Sequence, residues 1–207
     1  MSNIIYINFL NDWNKINNKT REVFICYNVN ELPELPNTIT HLHCFNNKVK
    51  KISKLPINLL ELEVSLNDLT ELPELPNSLT KLNCSFNKIK ELTLNNNIII
   101  LNCSNNELIN IKNIPNSLNS LNCSNNKLTD LSELSKINDV RFYNNPLEKL
   151  PSFTDYSTLN FQDDDWIKQN ALKWINDYND IELFKYHLDK EQLKIAKRKF
   201  KLKRVCN

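Results

Sequence analysis

The sequence predicts a solenoid, mainly β or of α/β type. Short strands would stack into a curved parallel sheet, with an extended opposite side and a helical C-terminal cap. Three observations lead there. One template recurs six times in phase along the chain, proline-bearing connectors separate several of the copies, and beyond Thr154 the apolar spacing becomes helical. Each copy would supply one strand, and no copy can bury its own leucines without a neighbour.

Taken from the N-terminus, residues 1–31 are expected to close the first end of the solenoid. Residues 1–18 hold a candidate short capping helix, and TREVFICYNVNEL (20–32) an irregular first strand with Val23 and Ile25 turned inward. Residues 32–153 carry the repeats. ITHLHCFNNKV (39–49), LLELEVSLNDL (59–69), LTKLNCSFNKI (79–89), IIILNCSNNEL (98–108), LNSLNCSNNKL (118–128) and INDVRFYNNPL (137–147) share the form L-x-x-L-x-[C/V/F]-x-x-N-x-L. With a period of about 20 residues, this is the leucine-rich repeat pattern, in which the strands line the concave side.

The ninth template position is Asn in all six copies: Asn47, Asn67, Asn87, Asn106, Asn126 and Asn145. An inward ladder of amides would satisfy backbone groups where the chain turns away from the sheet, so these residues read as structural. The sixth position, Cys44, Cys84, Cys103 and Cys123 with Val64 and Phe142 as its other members, points inward by strand alternation. The cysteines there act as small apolar packers. HLHCFNN (41–47) is thereby no chelating cluster, because His41 and His43 face the side opposite to Cys44.

Only some ten residues remain per repeat for the convex side, too few for a full helix with loops. LPELPN occurs at 32–37 and at 72–77, with SKLPIN and KNIPNS as variants, and proline favours an extended path. Here residues 30–151 resemble the short "LPxLP" leucine-rich repeats of secreted bacterial effectors. The Asn-rich, Gly-free style is similar to leucine-rich repeat proteins of amoeba-infecting giant viruses. The resemblance implies a protein-recognition scaffold and no catalytic residue. Some of those effectors append a ubiquitin-ligase domain with a catalytic cysteine. The 54 residues after the repeats have only Cys206, so that activity is not expected.

Residues 154–207 are expected to cap the other end with helices. Asp163, Asp164 and Asp165 would stand at a helix start, followed by Ile167, Ala171, Trp174 and Tyr178 at helical spacing. The three aspartates could instead hold a cation. The tail KEQLKIAKRKFKLKR (190–204) is basic, which leaves nucleic-acid contact as an alternative to a capping helix.

Composition narrows the function. The chain has 37 Asn and no Gly, which excludes phosphate-cradling and dinucleotide loops that need glycine's positive φ. A net charge of +2 implies neither nucleic acid nor membrane. No span of about 18 apolar residues and no basic, cleavable leader is present, so a location in the cytoplasm is expected, that of the host cell if the protein is viral. The expectation is a monomeric, non-enzymatic scaffold without cofactor, metal or small-molecule substrate, binding a protein partner through its concave face. The alternatives are a substrate-recognition subunit of a ubiquitin-ligase or effector assembly, or a nucleic-acid contact.

Template positions three, five and seven are expected to face out onto the concave sheet, with position eight at the strand ends. His41, His43, Glu61, Glu63 and Lys81, together with the apolar Phe45, Leu66 and Phe86, form one candidate binding zone. Arg141 and Tyr143, beside Asp139, form a second, and aromatics and arginine are common anchors of binding. His43 beside Glu63 is the place where a metal would be sought.

Overall fold

The computed structural model describes residues 4–148 apart from 9, 27, 132, 133, 135, 136 and 138. The expected helical cap at 154–207, its three aspartates and the basic tail lie outside the described residues.

Eight short parallel strands form one sheet in the order β1-β2-β3-β4-β5-β7-β9-β10. They are β1 (Ile4–Ile7), β2 (Glu22–Ile25), β3 (His41–His43), β4 (Glu61–Glu63), β5 (Lys81–Asn83), β7 (Ile100–Asn102), β9 (Ser120–Asn122) and β10 (Asp139–Arg141). Register follows the template. Leu42, Leu62, Leu82, Leu101, Leu121 and Val140 stand opposite one another in consecutive pairs, and all are buried. Parallel neighbours need a crossover, and here each turn of the solenoid supplies it.

The core is a set of stacked columns. Ile39, Leu59, Leu79, Ile98 and Leu118 open the repeats, and Val49, Leu69, Ile89, Leu108, Leu128 and Leu147 close the turn after each strand. Cys44, Cys84, Cys103 and Cys123 are free and buried between them, with Val64 and Phe142 in the same column. Burial pushes the thiols of Cys44, Cys84 and Cys123 up to about 12, and that of Cys103 well above its ordinary value. Truncating one central leucine, such as Leu82, would cost about 2–5 kcal/mol.

The first end differs from the expected capping helix. Ile4–Ile7 is a strand, paired Ile5 to Val23 and Ile7 to Ile25, and only Leu10–Lys15 turns, as a 3-10 helix. Three β-branched residues in four favour the pleated conformation. In β2, Val23 and Ile25 are buried. Val29 then takes the place of Val49, its N–H donating to the next repeat's Asn47 as Val49 donates to Asn67. The first turn is therefore one residue shorter than the template.

On the convex side β6 (Glu91–Thr93) pairs in parallel with β8 (Asn110–Lys112). Thr93 and Lys112 stand where the preceding repeat has Pro73, so both have an N–H and pairing is open to them. Elsewhere Pro36, Pro56, Pro76 and Pro115 close turns by accepting from Ile39, Leu59, Leu79 and Leu118.

Candidate functional site

The concave face is organised by the asparagines behind it. Each ladder amide accepts one backbone N–H through Oδ1 and donates several bonds through Nδ2. For Asn87, Oδ1 accepts from Leu69 N at 2.9 Å, while Nδ2 reaches the carbonyls of Val64, Cys84 and Ser85 at 2.9, 3.1 and 3.2 Å. Asn67, Asn106, Asn126 and Asn145 repeat this pattern on Val49, Ile89, Leu108 and Leu128. The carbonyl of Cys84 accepts from both Asn87 and Asn106, so successive repeats are stitched through one oxygen.

Immediately before each ladder residue the backbone turns left-handed. Asn46, Leu66, Phe86, Asn105, Asn125 and Asn144 all have φ between 54° and 56°. Asparagine does here what glycine does in other chains, because its short polar side chain tolerates this region. Leu66 and Phe86 are the exceptions. A bulky side chain at this φ costs roughly 1–2 kcal/mol, yet both side chains are about half exposed, at 47% and 52%. Phe45, one position earlier in the preceding repeat, is 52% exposed. Backbone bonds from Asn46 to Ser65, Leu66 to Ser85 and Phe86 to Ser104 keep these repeats in register, so the three apolar groups line one rim at the strand ends.

Position seven departs from the outward expectation. Ser65, Ser85, Ser104 and Ser124 are buried. The strands are three residues long, and past position six the chain has already begun to leave the sheet, so alternation no longer applies. The side chain at position five fixes the turn. Asn83 and Asn102 each accept from the N–H and hydroxyl of the serine two residues on, at 3.2 and 2.8 Å. Glu63 accepts from Ser65 N at 2.9 Å. His43 makes no such bond to Phe45, and the Phe45 ring stays outside.

His43 and Glu63 do not pair. His43 Nε2 lies 3.1 Å from Glu22 Oε1, and its ring stacks on Phe24 at 4.3 Å and 7°, with Tyr6 on the far side of Phe24 at 4.9 Å. Glu63 instead accepts from Asn83 Nδ2 at 2.6 Å. His41 shares a hydrogen bond with Thr40 Oγ1, and Lys81 pairs with Glu61 at 3.5 Å. Among the described residues no three of His, Cys, Asp and Glu gather as a metal would require.

The second zone is separate. Arg141 lies on β10, three strands from Lys81 on β5 and so about 14 Å away along the sheet. Its Nε is buried without a hydrogen-bond partner among the described residues, Tyr143 packs partly into the core, and Asp139 accepts from Ser120.

Sequence reasoning passed over two groups. Tyr6, Phe24 and Glu22 continue the concave columns onto β1 and β2, hidden because those strands precede the first full template. Leu60 and, on the far side of Thr80, Ile99 with its neighbour Ile100 are 41%, 42% and 42% exposed at the strand starts. Reading position two as a column (Thr40, Leu60, Thr80, Ile99, Asn119) would have shown Leu60 and Ile99.

No family model matches the chain, and no curated protein does. Solved structures do. YopM from Yersinia enterocolitica WA-314 is 35% identical with a TM-score of 0.59, over 63% of this chain and 30% of that one. The leucine-rich repeat domain of a Shigella effector is 30% identical with a TM-score of 0.56, over 60% and 58%. The leucine-rich effector YopM from Yersinia pestis is 30% identical with a TM-score of 0.55, over 69% and 49%. The fold is a leucine-rich repeat solenoid. Its repeats are similar to those of these bacterial effectors, and the chain spans less than two thirds of each of these structures. No helix among the described residues is long and apolar enough to cross a membrane.

Proposed function

We propose that the chain is a non-enzymatic protein-recognition scaffold that engages its partner through the concave face and the strand-end rim. Phe45, Leu66 and Phe86 act as anchors, with His41, His43, Glu61, Glu63 and Lys81 reading the partner's polar groups beside them. Arg141 and Tyr143 extend the contact toward the last repeats. The observation that carries the reading is the rim itself: three half-exposed apolar side chains in consecutive repeats, two of them held in a costly backbone conformation. Exposed apolar clusters of this kind mark interaction sites. Likeness to bacterial effector repeats supports the same reading. So does the chemistry of the four repeat thiols, which burial keeps protonated and out of reach of any substrate.

The mechanism is recognition by a preorganised surface. The ladder and the stacked leucines hold the backbone, so little ordering entropy is lost on binding, and a few anchors supply most of the affinity. Proximity labelling in the native cell, with the wild type and with the Phe45→Asp, Leu66→Asp, Phe86→Asp triple variant, tests this. Partners labelled by the wild type and lost from a variant with an unchanged thermal transition support the reading. Identical labelling by both overturns it.

A further inference from the structure

We propose that the strand-end rim takes an extended acidic segment of a partner protein, with apolar side chains set on Phe45, Leu66 and Phe86 and carboxylates on the lysines beside them. The inference rests on the recognition role above and adds the chemistry of what is recognised.

The apolar half of the site is unusual within its own column. Four of six equivalent left-handed positions are Asn, while the two occupied by Leu66 and Phe86 are neighbours and adjoin Phe45. The apolar residues thus coincide in one place, where a fold optimised for itself alone would use asparagine. The three side chains are stepped by one strand spacing each, about 10 Å from first to last. Three or four residues of extended chain span that length.

The polar half is charged. Downstream of the rim residues stand Lys48, Lys50, Lys88, Lys90 and Lys127, all exposed, against Asp68 and Glu107. Lys88 bonds Asp68, and Lys127 bonds Glu107 at 3.0 Å. Lys48, Lys50 and Lys90 make no ion pair among the described residues. Their fields still reach the two carboxylates, which are held below the usual range first by hydrogen bonds from Lys88 and Lys127, then by the charges of these lysines. Three uncompensated positive charges beside three apolar anchors match an acidic, apolar peptide.

The test starts from a random library of displayed 12-residue peptides selected on the full chain. Enriched peptides are then titrated by fluorescence anisotropy against the wild type, Leu66→Asn/Phe86→Asn and Lys48→Glu/Lys50→Glu. The expected peptides combine Asp or Glu with aromatic or aliphatic residues. Affinity falls at least tenfold in each double variant, while the Tm of Leu66→Asn/Phe86→Asn holds or rises. Selection of basic or uncharged peptides, no enrichment, unchanged affinity in either variant, or a lowered Tm in Leu66→Asn/Phe86→Asn overturns the proposal. Binding of the wild type to phosphatidylserine vesicles without peptide binding also overturns it. If labelling in cells still depends on Phe45, Leu66 and Phe86 while the peptides fail, only the acidic-segment inference falls.

Discussion

Replacing Asn87 by Leu probes the ladder at its centre while keeping the branched outline and the number of side-chain heavy atoms. Four hydrogen bonds vanish, but their loss is unequal. The carbonyl of Val64 keeps Asn67, that of Cys84 keeps Asn106, and that of Ser85 keeps the N–H of Leu66. Only the N–H of Leu69 loses its acceptor, which was Asn87 Oδ1. One orphaned buried donor costs about 1–3 kcal/mol, and the weakened carbonyls add a fraction of the roughly 1 kcal/mol each bond contributes net. A loss near 2–3 kcal/mol is expected, or a Tm lower by about 4–12 °C for a chain of this size. Urea denaturation followed by circular dichroism measures the loss, and amide exchange locates it: protection should fall at Leu69 and persist at Val49 and Ile89. A loss below about 0.5 kcal/mol, or unchanged protection at Leu69, would refute the reasoning.

Other consequences follow from the same geometry. Asn87→Asp keeps the acceptor but brings a carboxylate against three carbonyls, which raises its folded pKa. Its stability should therefore be greatest at low pH and decline as pH rises through the ordinary carboxylate range, seen in Tm measured from pH 3 to 7. The four buried thiols act in the same sense at alkaline pH. Their stabilising effect is intact below the unfolded thiol pKa near 9 and is lost as pH climbs through the raised folded values, about 12 for Cys44, Cys84 and Cys123 and well above the ordinary value for Cys103. The slope approaches about 1 kcal/mol per pH unit for each thiol. Changing Cys44, Cys84, Cys103 and Cys123 to the Val already present at position 64 should flatten that alkaline limb. With a thiol reagent, Cys26, which is exposed, should react at once, and the four buried cysteines only on unfolding.

What the sequence revealed follows the physics of repetition. The inward columns of leucine, cysteine and asparagine were legible because each residue has an equivalent about 20 places away, and stacking turns that spacing into contact. The concave residues at positions three and five were legible for the same reason, since strand alternation holds through His41–His43 and its equivalents. It stops where the strand stops. Ser65, Ser85, Ser104 and Ser124 are buried because the chain has begun to leave the sheet there, with the serine N–H held by the side chain two residues before it, a local bond that periodicity alone does not encode. Strand β1 and the Tyr6–Phe24–His43 stack escaped because the N-terminal residues depart from the template, and the turn after β2 is one residue short of it. The left-handed turn at Leu66 and Phe86 was also hidden. Its signature is the Asn that stands at 46, 105, 125 and 144, and it becomes visible once asparagine is seen to do glycine's work in a chain without glycine.

The most direct test of recognition by the strand-end rim is photocrosslinking of the full chain in extract of its native cell. Benzoylphenylalanine would replace Phe45 or Phe86 on the rim, or Ile57 on the convex side, which is 64% exposed. Recognition by the rim predicts one crosslinked partner shared by positions 45 and 86 and absent from position 57. The same partner captured equally from position 57, or from 57 alone, would contradict it.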